Sequence, residues 1–382
     1  MKKVFILLIV LVLSIPSLVS AEELAVNAKS AILIDFDTGT ILYEKNKDER
    51  LSVASLTKMM AQIIILEEVE KGNLTWDEKI TTSANAAGYG GTQIYLEPGE
   101  VMTARELMKA ISMASANDAT VALAERISGT ESKFVELMNN KAKELGLKNT
   151  NFVNPTGLDE ENHYSSSYDL SIIARELLKH KEILEFSSLY EDYLRVDTPN
   201  KFWLVNTNKL VRTYPSVDGL KTGFTNNAGY TMAVTAKKDN MRIIGIVLGE
   251  EISKVRNKET EELLDYGFNT YKVNLIKKKG DLVDTIKINK GNKKKIDVIL
   301  DSDIAVLTKK SDNGLKYDEK VVLNEIKLPL KQGDIIGVLE LYNKGSKIGT
   351  YNLVSSCSVK KKNMISIYLD NLKKIIVGNL IF

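Results

Sequence analysis

SLTKMMAQIIILEEVEKG, residues 55–72, is the stretch on which the reading of the fold turns. Met59, Met60, Ile63, Ile64, Ile65, Leu66 and Val69 leave little room for a polar face, so the segment reads as a buried helix. Upstream, Ala31-Ile32-Leu33-Ile34-Asp35 and Thr40-Ile41-Leu42-Tyr43-Glu44 flank Asp37-Thr38-Gly39, a strong hairpin signal. Downstream, residues 103–127 are helix-rich, with Thr103 and Glu106 spaced as a capping box. Residues 132–145, ended by Gly146, and 167–180 continue the helical section. From Tyr230 the period changes. Tyr230 to Lys237 and Arg242 to Leu248, around an Asp239-Asn240 turn, are expected to pair antiparallel, and Glu259 to Tyr271 closes this part as a helix. Strands on both sides of a helical middle predict an α/β (α+β) domain. Its mainly antiparallel sheet is built from both ends of the segment and flanked by helices.

The 382 residues exceed the size at which one core usually stops growing, so two domains are expected. Lysine runs at 277–279 and 293–295, with turn signals at Gly280, Gly291, Asn313-Gly314 and Gly345, punctuate short β-rich stretches. They predict a small all-β domain over 273–360 after a catalytic-sized domain over 22–272. At the N-terminus, Lys2-Lys3, the apolar run Val4 to Leu13 and the small triplet Val19-Ser20-Ala21 describe a cleavable signal over 1–21. At the other end, residues 361–382 place Ile365, Leu369, Leu372, Ile376 and Leu380 on one helical face behind Lys360-Lys361-Lys362. That pattern predicts an amphipathic helix attaching the chain to a membrane surface.

Composition removes several function classes. A net charge of +2 gives no case for nucleic-acid binding. Cys357 is the only cysteine, so no intramolecular disulfide or cysteine metal cluster can form. Two histidines, His163 and His180, occur without HExxH or CxxC, and no metal or other cofactor is expected. His163 with Asp169 could suggest a Ser-His-Asp triad, but no G-x-S-x-G elbow accompanies it.

A hydrolase without these aids can still ionise a serine with a lysine. Ser55 and Lys58 lie three residues apart, on one face of a helix start, where free N–H groups suit developing negative charge. Lys58 can act as a base only if burial and a neighbouring cation lower its pKa. Ser115-Ala116-Asn117 supplies a hydroxyl to relay a proton and an amide to hold Lys58 or a substrate backbone. Lys221-Thr222-Gly223 stands in an extended segment, where Lys221 offers a cation for a carboxylate and Gly223 lets another backbone approach. Decoys exist: Ser358-Val359-Lys360-Lys361 repeats the first spacing, and Ser83-Ala84-Asn85 the second. The ordered trio is more specific than any member.

In that order the three motifs resemble the signature of penicillin-recognising serine enzymes. Ala54 to Met60, Ser115 to Ala119, Asn154-Pro155-Thr156-Gly157-Leu158 and Asp218 to Thr225 resemble low-molecular-mass D-alanyl-D-alanine carboxypeptidases. The resemblance implies a β-lactamase/transpeptidase-like fold and removal of the terminal D-alanine from peptidoglycan stem peptides, with β-lactams as covalent inhibitors. It implies Ser55 as nucleophile, Lys58 as base, and Ser115 and Asn117 as relay and positioning pair. Lys221, Thr222, Gly223 and Thr225 would bind substrate, and the backbone N–H groups of Ser55 and Phe224 would form the oxyanion hole. Some members of the family carry His where this chain has Phe224. Three alternatives stay open on the residues: a β-lactamase, an endopeptidase, and a non-catalytic receptor acylated by β-lactams. Glu160 and Glu161 do not resemble the loop glutamate of class A β-lactamases.

Overall fold

The computed structural model describes residues 24–312, 316–343, 345–365 and 368. The predicted signal over 1–21 and most of the predicted terminal helix lie outside the described residues.

The opening hairpin forms as expected, Ser30–Asp35 with Ile41–Lys45. Its turn is closed by Asp35, whose carboxylate accepts from the Thr38 N–H at 2.8 Å and hydroxyl at 2.7 Å, while Gly39 takes φ +72°. Such a φ is what glycine admits without strain. These strands join three from the other end of the segment in one antiparallel sheet. The order is Ile41–Lys45, Ser30–Asp35, Met241–Glu250, Gly229–Lys238 and Val217–Thr225. The strand bearing the Lys-Thr-Gly triplet is therefore an edge strand.

Helices Lys58–Glu70, Ala104–Met113, Asn117–Ser128, Glu131–Glu144 and Ser167–Leu177 supply the helical part. Every residue from Lys58 to Leu66 is buried, so the first of them is a central helix that meets solvent only at its last turn. The capping box at Thr103 and Glu106 is formed reciprocally. The closing helix runs Ser253–Thr270, starting six residues before the expected Glu259. Its first turn is polar and carries little periodic signal, which hides it from a pattern of apolar residues. Two short antiparallel pairs carry no sequence signal either: Lys79–Thr81 with Val101–Thr103, and Glu191–Leu194 with Phe202–Val205. With three or four residues per strand, neither establishes a period.

The chain divides into two compact units between Phe268 and Asn269. The second is β-rich. Its antiparallel sheet runs in the order Leu282–Lys287, Lys295–Leu300, Ser346–Ser355, Ile335–Asn343, Asp318–Leu323, and Tyr271–Lys277 pairs separately with Ile304–Lys309. Ile296, Val298, Leu300, Leu339, Leu341, Leu353 and Val359 fill its core, with Cys357 half-buried against them.

The expected membrane attachment through a C-terminal helix is corrected. Among the described residues no helix is long and apolar enough to cross a membrane. The apolar face that suggested it depends mainly on Leu369, Leu372, Ile376 and Leu380, which lie outside the described residues.

Candidate active site

Ser55 sits in a 3-10 turn, Ala54–Thr57, that leads into the buried helix starting at Lys58. The Lys58 ammonium lies 2.9 Å from Ser55 Oγ and 2.7 Å from the carbonyl oxygen of Thr156. Lys58 is fully buried. Burial, and then the charge of Lys221, hold its pKa well below the ordinary lysine value against the opposing pull of Asp118. Both requirements for an amine base, desolvation and a neighbouring cation, are met in one place.

Lys221 is itself buried and donates to the Thr222 carbonyl at 2.8 Å. Burial and the charge of Arg256 lower its pKa to about 7. A carboxylate entering beside Lys221 would favour its charged form. Gly223 admits a close approach: a Cβ there would lie 2.8 Å from Ser55 N and 2.6 Å from Thr231 Oγ1. The missing side chain thus makes room for the nucleophile's own turn. Phe224 is half exposed and leans on Tyr230, ring centroids 4.3 Å apart. The Thr225 hydroxyl donates to Asp159 at 2.8 Å and accepts from the Ala228 N–H, so in the free protein it is engaged internally.

Ser115 lies between two helices with φ +65°. Its hydroxyl is buried and has no hydrogen-bond partner among the described residues. Asn117 uses its side-chain amide to hold the Gly90 carbonyl at 2.7 Å, and its N–H to hold the Thr92 carbonyl at 2.7 Å. These two bonds anchor the loop around 90–92 rather than Lys58. The decoys separate cleanly. Ser83 caps a four-residue helix and donates to Glu125, which also takes Asn85, while Ser358 accepts from the Gln332 N–H in the second unit.

Several contributors escaped the sequence reading. Asn154 accepts from the Thr156 and Gly157 N–H groups, which shapes the turn that aims the Thr156 carbonyl at Lys58. Asp118 is buried and takes the N–H groups of Ile94 and Leu96. Arg256, beside Tyr230, supplies the charge felt by Lys221. The Asn-Pro-Thr-Gly run was visible as a motif, but nothing in it announces a carbonyl that binds an amine.

His163 is no part of a triad. It lies in the loop that precedes the helix Ser167–Leu177, yet it is only 5% exposed. Its Nδ1 accepts the Val153 N–H at 3.1 Å, so Nε2 carries the proton and donates to Thr57 at 2.8 Å. Asp169 is occupied with Asn149 and Thr150. Burial lowers the His163 pKa to about 4. As pH falls below about 6.5 the unfolded chain takes up this proton before the folded one does, so stability should drop between pH 6.5 and 4, by up to about 3 kcal/mol. Urea unfolding at pH 7 and pH 4.5 reads this directly. His163→Gln should flatten the acid slope, and an unchanged slope would assign it to other groups.

Comparison with known proteins agrees with this geometry. Residues 17–252 match the family described as D-alanyl-D-alanine carboxypeptidase, and residues 271–361 match the penicillin-binding protein 5 C-terminal domain. The D-alanyl-D-alanine carboxypeptidase DacF of Bacillus subtilis is 48% identical over 347 residues, 90% of this chain and 89% of that protein. Among solved structures, penicillin binding protein 5 from Haemophilus influenzae aligns with TM-score 0.73 at 29% identity, over 90% of this chain and all of that one. PBP3 from Streptococcus pneumoniae, described as a peptidoglycan synthesis regulatory factor, aligns with TM-score 0.75 at 26% identity, over 87% of this chain and 99% of that one. With both units matched and the amine of Lys58 set against Ser55, this chain belongs to the D-alanyl-D-alanine carboxypeptidase family of low-molecular-mass penicillin-binding proteins.

Proposed function

We propose that this serine-type D-Ala-D-Ala carboxypeptidase acts on peptidoglycan stem peptides through an acyl-enzyme on Ser55. The observation that carries the reading is the desolvated Lys58 amine, 2.9 Å from Ser55 Oγ. In its neutral form the amine takes the Ser55 proton as Oγ attacks the penultimate D-Ala carbonyl. The N–H groups of Ser55 and Phe224 receive the oxyanion, a contribution of about 2.7–4 kcal/mol per donor in comparable sites. Ser115, with its hydroxyl uncommitted, passes a proton to the leaving D-alanine amine. Asn117 positions the loop beside the cleft, and Lys221 and Thr222 hold the terminal carboxylate. Gly223 keeps the edge strand close to Ser55, and Thr225 contributes to the carboxylate site once it releases Asp159. Water then attacks the acyl-enzyme, with Lys58 again as base. β-Lactams acylate the same serine.

The leader-like residues 1–21 support an exported enzyme whose chain starts at Glu22, with a catalytic domain over 22–272 and a β-rich domain over 273–360. Mass spectrometry of the penicillin adduct, followed by D-alanine release from a peptide ending in D-Ala-D-Ala, tests the function. Adduct and release should both vanish in Ser55→Ala. Labelling that persists in that variant would move the nucleophile elsewhere, and rapid penicillin turnover without D-alanine release would make the protein a β-lactamase.

A further inference from the structure

The near-neutral chain hides a segregation of charge between its two units. Residues 269–382 hold 22 basic against 12 acidic residues, net +10, and residues 1–268 hold 30 against 38, net −8; together these make the +2 of the whole. Within the basic unit, two lysine runs some 65–70 residues apart in sequence meet in space. The Asn292 N–H donates to the Lys360 carbonyl at 2.9 Å, and the Lys360 N–H to the Asn292 side chain at 2.9 Å. The Lys362 N–H donates to the Lys290 carbonyl at 2.8 Å, and Gly291 and Lys361 form a β-bridge. Gly291 permits the closeness, since a Cβ there would meet Val359 Cγ1 at 2.7 Å and Ile288 Cγ2 at 2.8 Å.

Lys290, Lys293, Lys294, Lys295, Lys360 and Lys361 are all exposed. None of the six forms an ion pair among the described residues. Elsewhere in the same unit, by contrast, Lys277, Lys320 and Lys347 are matched to Glu319 and Glu340. Six like charges gathered on adjoining backbone segments repel one another, and a polyanion laid across them relieves that repulsion.

We propose that this lysine surface binds the carboxylate-bearing peptidoglycan polymer itself, apart from the catalytic cleft. The inference rests on the reading that peptidoglycan is the substrate. Each stem peptide presents a terminal carboxylate, and each hydrolysis leaves a new one on the shortened peptide, so the polymer stays polyanionic through the reaction. A unit of net −8, or −10 once residues 1–21 with Lys2 and Lys3 are removed, is repelled by such a polymer, and the attached unit of net +10 opposes that repulsion. One chain then holds the polymer at two places, and the tethered second contact raises the effective concentration of stem peptides at the cleft.

The test uses the full chain and purified, insoluble peptidoglycan in a sedimentation assay, comparing wild type with a triple variant carrying Lys293→Gln, Lys294→Gln and Lys360→Gln. These side chains are exposed, and matching unfolding curves would establish an intact fold. At low salt the triple variant should need about five- to tenfold more peptidoglycan for half-binding. That gap should close near ~1 M salt, where the screening length is only about 3 Å. D-Alanine release from a small soluble peptide should be unchanged, while release from the polymer at low concentration should fall severalfold. Equal pelleting of the two proteins, or a gap that persists at high salt, would overturn the proposal. So would pelleting with anionic phosphatidylglycerol vesicles but not with peptidoglycan, which would assign the surface to lipid headgroups. Binding is read without turnover, so a failed Ser55 acylation would leave this result standing or falling by itself.

Discussion

Lys58→Met should cut acylation of Ser55 by about 10²–10⁴-fold, the range expected when a positioned general base is removed. Methionine fits a buried, unbranched slot, so the fold should survive and the loss should lie in the chemistry. Lys58→Arg is the sharper variant. It restores the positive charge, but a guanidinium stays protonated at every working pH and cannot accept the Ser55 proton. If charge alone mattered, arginine would rescue; if a neutral amine is needed, it will not. The measurements are the second-order rate with fluorescent penicillin and D-alanine release, each per folded molecule. An arginine variant within tenfold of wild type would remove Lys58 from the role of base. The wild-type rate should rise with pH as the Lys58 amine loses its proton, a step that burial and Lys221 bring below the usual lysine range. Lys221→Gln deletes that neighbouring cation and should therefore move the rise to higher pH.

Gly157→Ala should be among the most damaging single-methyl additions in the catalytic unit. Gly157 holds φ +84°, and a Cβ there would stand 1.9 Å from the Ala54 carbonyl oxygen and 2.8 Å from Thr57 Oγ1. Neither neighbour is the free end of a flexible side chain. The left-handed backbone alone costs an alanine about 1–3 kcal/mol, and the overlap adds to it by pushing the 154–158 loop off the nucleophile's turn. That loop presents the Thr156 carbonyl to Lys58 at 2.7 Å, so stability and acylation should fall together. A displacement of about 1 Å at such a contact can cost roughly 10²-fold in rate. Gly72→Ala is the control. Its φ is +74°, but nothing lies within 4 Å of the added carbon, so it should show the backbone cost without the catalytic loss. Urea midpoints and penicillin acylation rates for both variants decide the matter. Equal effects would mean that contact with Ala54 is relieved by an easy shift.

The contrast between these residues shows which parts of the site could be read in advance. Ser55, Lys58, Ser115, Asn117 and Lys221 carry distinctive side chains in ordered short motifs, and the structure sets the Lys58 amine against Ser55 and within the field of Lys221. The groups that tune them do so through backbone atoms or from distant elements. Thr156 works through its carbonyl, Arg256 from the closing helix, and Asp118 through the loop N–H groups it gathers. His163 lies in a loop between polar neighbours, and only the fold shows it buried, with Thr57 and Val153 as its hydrogen-bond partners.

Local pattern sufficed for the opening hairpin, the capped helix at Thr103, the buried helix after Ser55 and the antiparallel pair after Tyr230. Each depends on interactions within a few residues, or on a period longer than its noise. The ordered motifs likewise carried the family and its chemistry. Which carbonyl meets Lys58, what fills the space opposite Gly223, and how Lys290 comes to lie beside Lys362 were settled only when the chain closed on itself. Those contacts join residues tens to more than a hundred positions apart. Contacts at such separations leave no periodic trace in one sequence, because their partners are chosen by the packing of the sheet and helices between them.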